Sequence, residues 1–390
     1  MGTDDSTAPS TQAPVDTGAA PPRRTAKTVV LTFALAIVSL LISLLLAELA
    51  WRLLLSSDTK TGRRLKNPRL YADPFSDDLF WQLRYRWQGH LGHFQPPKNP
   101  HPRLGWHSAR VGADFSQVDE KHVAGRRPVL LYGDSFAQSM PGVRRFEQIL
   151  NQDEAFSQEH YLLNYGIGGY GLDQIYLLFE ASVDRFDDPF VIFSFMTFDL
   201  DRSALSVRIG QKPYFVVEDE ALELRGVPIE SDAEKFYAEH PPFVGSYLLR
   251  RLSRLPFFAG DEATSAVTAR KKRINGAILE RVVRELETRE LDYVIFVFHA
   301  RKAFIKGPDW RSAFVRQKLD DLGAPYLWSY DILRREAPEV PIDELFDPKH
   351  VHPTSRGNEI FAAAMAESVM ASAAARSGDG HHDMHRRTLP

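Results

Sequence analysis

The residues best suited to covalent chemistry stand at Gly133-Asp134-Ser135-Phe136, where the apolar run 127–132 stops. A short buried strand passing into a helix would set a serine hydroxyl at the carboxyl edge of a parallel sheet. Open α/β folds take their ligands at that edge. Glycine ahead of the serine permits the tight turn that exposes it. The same serine can equally be a plain helix cap, so a nucleophile also needs a base and a group to orient the base. Asp347-Pro348-Lys349-His350-Val351-His352-Pro353 offers both, either as Asp347 with His352 or as Asp347 with His350. The competing reading of that loop is a polar surface turn.

The surrounding pattern must carry these groups. Short apolar runs predict strands over 127–132, 161–164, 190–195, 293–298 and 325–328, and helical spacing predicts helices over 143–151, 172–186, 269–290, 311–322 and 357–374. Strands alternating with helices imply a parallel sheet covered on both faces. Two short runs, 213–217 and 221–224, flank Glu218-Asp219-Glu220 as a β-hairpin, and a helix over 233–255 follows. Because the sheet resumes afterwards, residues 205–268 are an insertion within one domain spanning 129–375.

Ahead of that domain, residues 1–27 are too poor in apolar side chains to offset their ordering entropy and read as a disordered tail, as do 376–390. Residues 28–55 read as a transmembrane helix, because Val29 to Ala47 carry no charge and nearly span a hydrocarbon core of about 30 Å. Glu48, Trp51 and Arg52 then fall at the interface. Residues 56–128, rich in Pro, Arg, Trp and His, read as a juxtamembrane stalk packing on the domain. More Lys and Arg follow the span than precede it, and that count alone would put the domain in the cytoplasm.

A formal charge of −3 without any basic stripe argues against nucleic acid as a partner. The absence of cysteine excludes disulfides, thiolate metal sites and a thiol nucleophile. Gly166, Gly168 and Gly171 have the spacing of a dinucleotide fingerprint, but Asp199, the nearest acid after the next strand, lies too far on. His381, His382 and His385 sit in a polar tail without supporting groups, so no metal site and no cofactor is expected.

Taken together, the blocks Leu131 to Phe136, Asn164 to Gln174 and Asp347 to Gly357 resemble those of the SGNH/GDSL hydrolases, most closely bacterial membrane-anchored members of envelope polysaccharide systems. Residues 213–228 also resemble an insert of those anchored relatives. The resemblance covers roughly residues 129–375 and implies a flavodoxin-like three-layer α/β sandwich. It implies acyl transfer through an ester on Ser135, with His352 as base and Asp347 orienting it; His350 is the second choice of base. The amides of Ser135 and Gly169 would meet the oxyanion, with Asp134, Asn164 and Asp199 close to the substrate.

Water as acceptor makes such a protein an esterase, and a sugar hydroxyl makes it an O-acyltransferase. The implied substrate is an acylated glycan or another acyl ester. The implied setting is a single-pass protein of the bacterial inner membrane, its domain in the periplasm beside polysaccharide machinery. Two residues depart from the family pattern. Phe198 stands where the family has an oxyanion-donating Asn, and Lys349 stands three before His352, where its acid is usual. Those departures leave open an alternative, a silent SGNH-like module that binds glycan or scaffolds an export complex.

Overall fold

The computed structural model describes residues 2, 26–88, 99–255, 257, 265–349 and 351–378. Its strands, in chain order, are β1 (Pro100–His101), β2 (Gly105–Trp106), β3 (Arg127–Gly133), β4 (His160–Gly166), β5 (Phe190–Met196), β6 (Tyr214–Glu218), β7 (Ala221–Arg225), β8 (Tyr293–Phe298) and β9 (Tyr326–Trp328). β3, β4, β5, β8 and β9 form one sheet in the order β4-β3-β5-β8-β9, every pair parallel. This is the doubly wound order of flavodoxin-like folds, and it reverses direction at β3.

These strands are apolar almost throughout because both faces are covered. Alternate side chains enter separate cores. Leu130, Tyr132, Val191, Phe193, Ile295 and Val297 pack under the helices Leu172–Ser182, Ala266–Thr288 and Trp310–Leu322. Val129, Leu131, Ile192, Val294, Phe296 and Phe298 pack under Phe146–Leu150, Ser329–Glu336 and Ser355–Gly378. The result is the three-layer α/β sandwich expected. At about 1.5–3 kcal/mol for each large side chain buried, these two layers hold the sheet edge rigidly in place.

Several predicted elements change their bounds. The helix expected over 233–255 is two short ones, Ala233–Glu239 and Tyr247–Ser253. Pro241 and Pro242 lack the N–H groups a continuous helix needs. The helix expected over 143–151 shrinks to Phe146–Leu150, and that over 172–186 ends at Ser182 in a 3-10 turn. Asp78–Gln88 is a helix within the segment read as a stalk. One helix among the described residues, Lys27–Ser56, is long and apolar enough to cross a membrane.

Gly133 shows why β3 must end as it does. A Cβ there would stand 2.5 Å from the Ala137 Cβ and collide with the Ser194 hydroxyl. Gly133→Ala is therefore expected to cost about 1–3 kcal/mol through overpacking. Urea unfolding of both proteins measures it; an unchanged midpoint would mean that the turn can yield.

Candidate active site

Ser135 opens the short helix Ser135–Gln138 at the carboxyl end of β3, where the sheet order reverses. Asp134 caps that helix, its Oδ1 accepting the Phe136 N–H at 2.8 Å. As the first residue of the helix, Ser135 has a backbone N–H with no intrahelical acceptor. His352 arrives from the other end of the sequence, and its Nε2 lies 2.9 Å from Ser135 Oγ. The Ser135 hydroxyl also lies 3.4 Å from Asp134 Oδ2. It has one proton to give, and the shorter contact, to the imidazole, is the better one.

The His352 loop is held by backbone pairing. Phe346 bridges Pro353 in antiparallel fashion, and the Asp347 N–H donates to the His352 carbonyl at 2.8 Å. Asp347 and His352 are thus directly opposed neighbours across a two-stranded ribbon, whose side chains share a face. The Asp347 Oδ1 also accepts the Lys349 N–H at 2.7 Å. Val351 turns the chain with φ +58°, a left-handed conformation costly for a β-branched residue, and His352 faces Ser135 just beyond it. The second choice of base, His350, lies outside the described residues.

Three residues expected near the substrate are buried, and each is engaged with the protein itself. Asn164 is buried; its Nδ2 donates to the Ala137 carbonyl and to Glu147 Oε2, both at 2.8 Å, and its Oδ1 accepts the Gly166 N–H. It ties the Ser135 helix to β4. Asp134 and Asp199 are both fully buried, and one guanidinium serves them. Arg202 Nη1 lies 2.8 Å from Asp134 and 2.5 Å from Asp199, and it also donates to the Tyr170 carbonyl at 3.0 Å. Burial, and then the charge of Asp134, push the Asp199 carboxyl well above the usual range despite the pull of Arg202. Burial works against the Arg202 charge, but the two carboxylates keep its pKa above the ordinary value. The cluster positions the nucleophile's turn, with Asp134 holding the Phe136 N–H on one oxygen and Arg202 on the other.

Gly169 has φ +85° in the turn after β4. A Cβ on its neighbour Gly168 would stand 3.8 Å from Ser135 Cβ, so this turn lies directly against the nucleophile's helix. A cleft of about 270 Å³ opens beside it, lined by Asn99, Trp106, Ser108, Gln138, Ile167 and Ile209 among others. Its outer wall was missed by sequence reasoning, which assigned residues 56–128 to a stalk. Trp106 Nε1 donates to the Gly168 carbonyl at 3.2 Å, and the Tyr170 hydroxyl donates to the Trp106 carbonyl at 2.5 Å. The mixed aromatic and polar string Gly105-Trp106-His107-Ser108 was the available signal. Phe198 does not face this cleft as a donor; its ring packs under the Arg311 guanidinium, 4.8 Å away.

His299, at the end of β8, was not predicted. Its Nδ1 is 3.0 Å from Ser329 Oγ, and burial depresses its pKa from 6.5 to about 3. The unfolded chain therefore binds a proton here that the folded protein refuses, and the stability this ring contributes is lost as pH falls from 6.5 towards 3. Unfolding free energy is expected to drop by up to about 1.4 kcal/mol per pH unit in that window. The slope should flatten in His299→Phe; equal slopes in the two proteins would refute the assignment.

Among the described residues, no group of three or more His, Asp or Glu is placed to hold a metal ion. Comparison with known proteins finds no matching family model and no matching curated protein. Solved structures similar in fold include a protein ascribed to the G-D-S-L lipolytic family from Desulfitobacterium hafniense DCB-2 (11% identity, 62% of this chain and 99% of that one, TM-score 0.34). Another is a lipase/acylhydrolase from Enterococcus faecalis (11%, 63% and 96%, 0.37). A third is an acetylxylan esterase from Geobacillus stearothermophilus (13%, 62% and 94%, 0.36).

Proposed function

We propose that the chain is a membrane-anchored serine esterase or O-acyltransferase of the SGNH/GDSL type. The observation that carries this reading is the 2.9 Å contact between Ser135 Oγ and His352 Nε2 at the sheet's switch point. In the proposed reaction, Ser135 Oγ attacks the acyl carbonyl carbon while its proton passes to His352 Nε2. Asp347, opposed to His352 across the ribbon, holds the ring. The amides of Ser135 and Gly169 receive the charge developing on the carbonyl oxygen. The tetrahedral species collapses, and the leaving alcohol takes the proton from His352. A water molecule, or a sugar hydroxyl, then attacks the Ser135 ester with the same base and frees the acid or the new ester.

The substrate reading, an acyl ester of an envelope glycan, draws support from the cleft: Asn99, Ser108 and Gln138 offer polar groups beside Trp106. Anchoring draws support from the helix 26–56. Its last turns are integral to the fold, since Trp51 Nε1 donates to the Tyr71 hydroxyl at 2.9 Å and Leu55 is buried. A cleaved signal sequence has no such role. The setting proposed is the inner membrane, with the domain in the periplasm beside polysaccharide machinery. The engagement of Phe198 with Arg311 favours the second reading, a silent glycan-binding or scaffold module, because one oxyanion donor is then lacking.

Release of acetate from acetylated xylan by the purified full chain tests the choice. With water alone the esterase reading expects turnover above the buffer rate. With excess sugar acceptor, the transferase reading expects acetyl appearing on the acceptor instead. Neither product, from protein that still binds the glycan, would favour the silent module.

A further inference from the structure

The anchor helix Ala26–Ser56 is pinned to the insertion at one level. Glu48 Oε2 accepts from the Ser246 hydroxyl at 2.8 Å and the Leu248 N–H at 2.9 Å, and Oε1 accepts from the Tyr247 N–H at 3.1 Å. One turn on, Arg52 Nη2 donates to the Gly245 and Val244 carbonyls at 3.1 and 3.3 Å. Ser246 caps the short helix Tyr247–Ser253 through the Leu249 N–H, and Glu48, from nearly 200 residues away, takes the Tyr247 and Leu248 N–H groups that this cap leaves. Counted from Val29, about 20 residues at a rise of about 1.5 Å bring a spanning helix to the far boundary of the hydrocarbon at Glu48. The insertion helix therefore begins at that boundary.

Its outward face suits that depth. Phe243 is 88% exposed and Leu249 57%, beside the bare anchor residues Leu49 and Leu53. A cavity of about 300 Å³ lies between this helix and Asp78–Gln88, walled by Leu79, Phe243, Leu249 and Arg250. Arg250 pairs with Asp77 through Nη2, yet its buried Nε has no acceptor among the described residues. Among the described residues Lys60, Arg64, Arg69 and Arg251 form no ion pair; the first three follow the anchor directly in the chain, and Arg251 lies on the insertion helix itself. Apolar side chains projecting beside cationic ones is the composition of a surface seated at phospholipid headgroups.

We infer that residues 243–253 form a membrane collar, with Phe243 and Leu249 entering the bilayer interface and Arg250 and Arg251 binding headgroup phosphates of an anionic lipid surface. The inference rests on reading 26–56 as a span. It gives the domain two points of attachment, so the catalytic cleft keeps one orientation to the bilayer.

The chain has no cysteine, so single cysteines placed in the full-length protein report their own depth. Spin labels at Phe243→Cys, Leu249→Cys, Leu41→Cys and Val118→Cys are compared in vesicles of phosphatidylglycerol and phosphatidylcholine. Val118, 55% exposed on the body of the domain, is the aqueous reference. The ratio of oxygen to nickel-chelate collisions should be highest at 41, lowest at 118 and intermediate at 243 and 249. Labels at 243 and 249 matching 118, while 41 reads as lipid, would overturn the collar and leave the span standing. A water-like label at 41 would overturn the span, and the collar with it. In pure phosphatidylcholine, or in Arg250→Gln/Arg251→Gln, the ratio at 243 should fall at least two-fold; no change would overturn the headgroup contact.

Discussion

Ser135→Ala is expected to lower ester turnover by about 10⁴-fold or more, with the fold intact. The estimate follows from removal of a nucleophile whose base remains in place, since members of such a constellation act as a unit. The residual rate would come from the two backbone amides and from binding alone. Stability should barely move. The hydroxyl is only partly buried, and its partner His352 is itself partly open to solvent. The comparison of initial rates on an acyl ester, with circular dichroism as the control for folding, separates the outcomes. Equal rates in variant and parent would remove Ser135 from the chemistry.

The second large effect concerns stability. Arg202→Met is expected to cost about 3–5 kcal/mol, because it strands two fully buried carboxylates, Asp134 and Asp199, without their cation. Asp134 also caps the Ser135 helix, so the variant should lose activity before it loses the fold. Adding Asp199→Asn removes one of the stranded charges and should recover part of the loss, with a coupling of about 0.5–3 kcal/mol. Urea unfolding of the single and double variants measures both. A single variant as stable as the parent, or two losses that simply add, would mean the three groups are not one electrostatic unit.

Much of the sheet was legible because its strands are apolar on both faces, as in Phe190-Val191-Ile192-Phe193, and because β3 and β4 end at Gly133 and Gly166. The placing of Ser135 was legible for the same reason: a strand end announces an edge. What local pattern could not carry was contact between distant segments. Asp199 was expected near the substrate, but only the fold brings Asp134 and Asp199 to the same buried guanidinium of Arg202. Asn164 sits in a block with a catalytic resemblance yet spends both amide protons on structure. Trp106 gave no periodic signal, so a wall of the cleft was taken for stalk. Glu48 read as an interfacial acid, because the donors it accepts from, at Ser246 to Leu248, lie in another part of the chain. The break between Glu239 and Tyr247 was the avoidable error, since Pro241 and Pro242 were in plain view.

The most direct test is to treat the full chain with a fluorophosphonate and map the adduct by mass spectrometry. Nucleophilic activation of Ser135 by His352 predicts one phosphonyl group on the peptide containing Ser135, formed far more slowly in His352→Ala. No adduct, an adduct that persists in Ser135→Ala, or the same rate without the imidazole would contradict it.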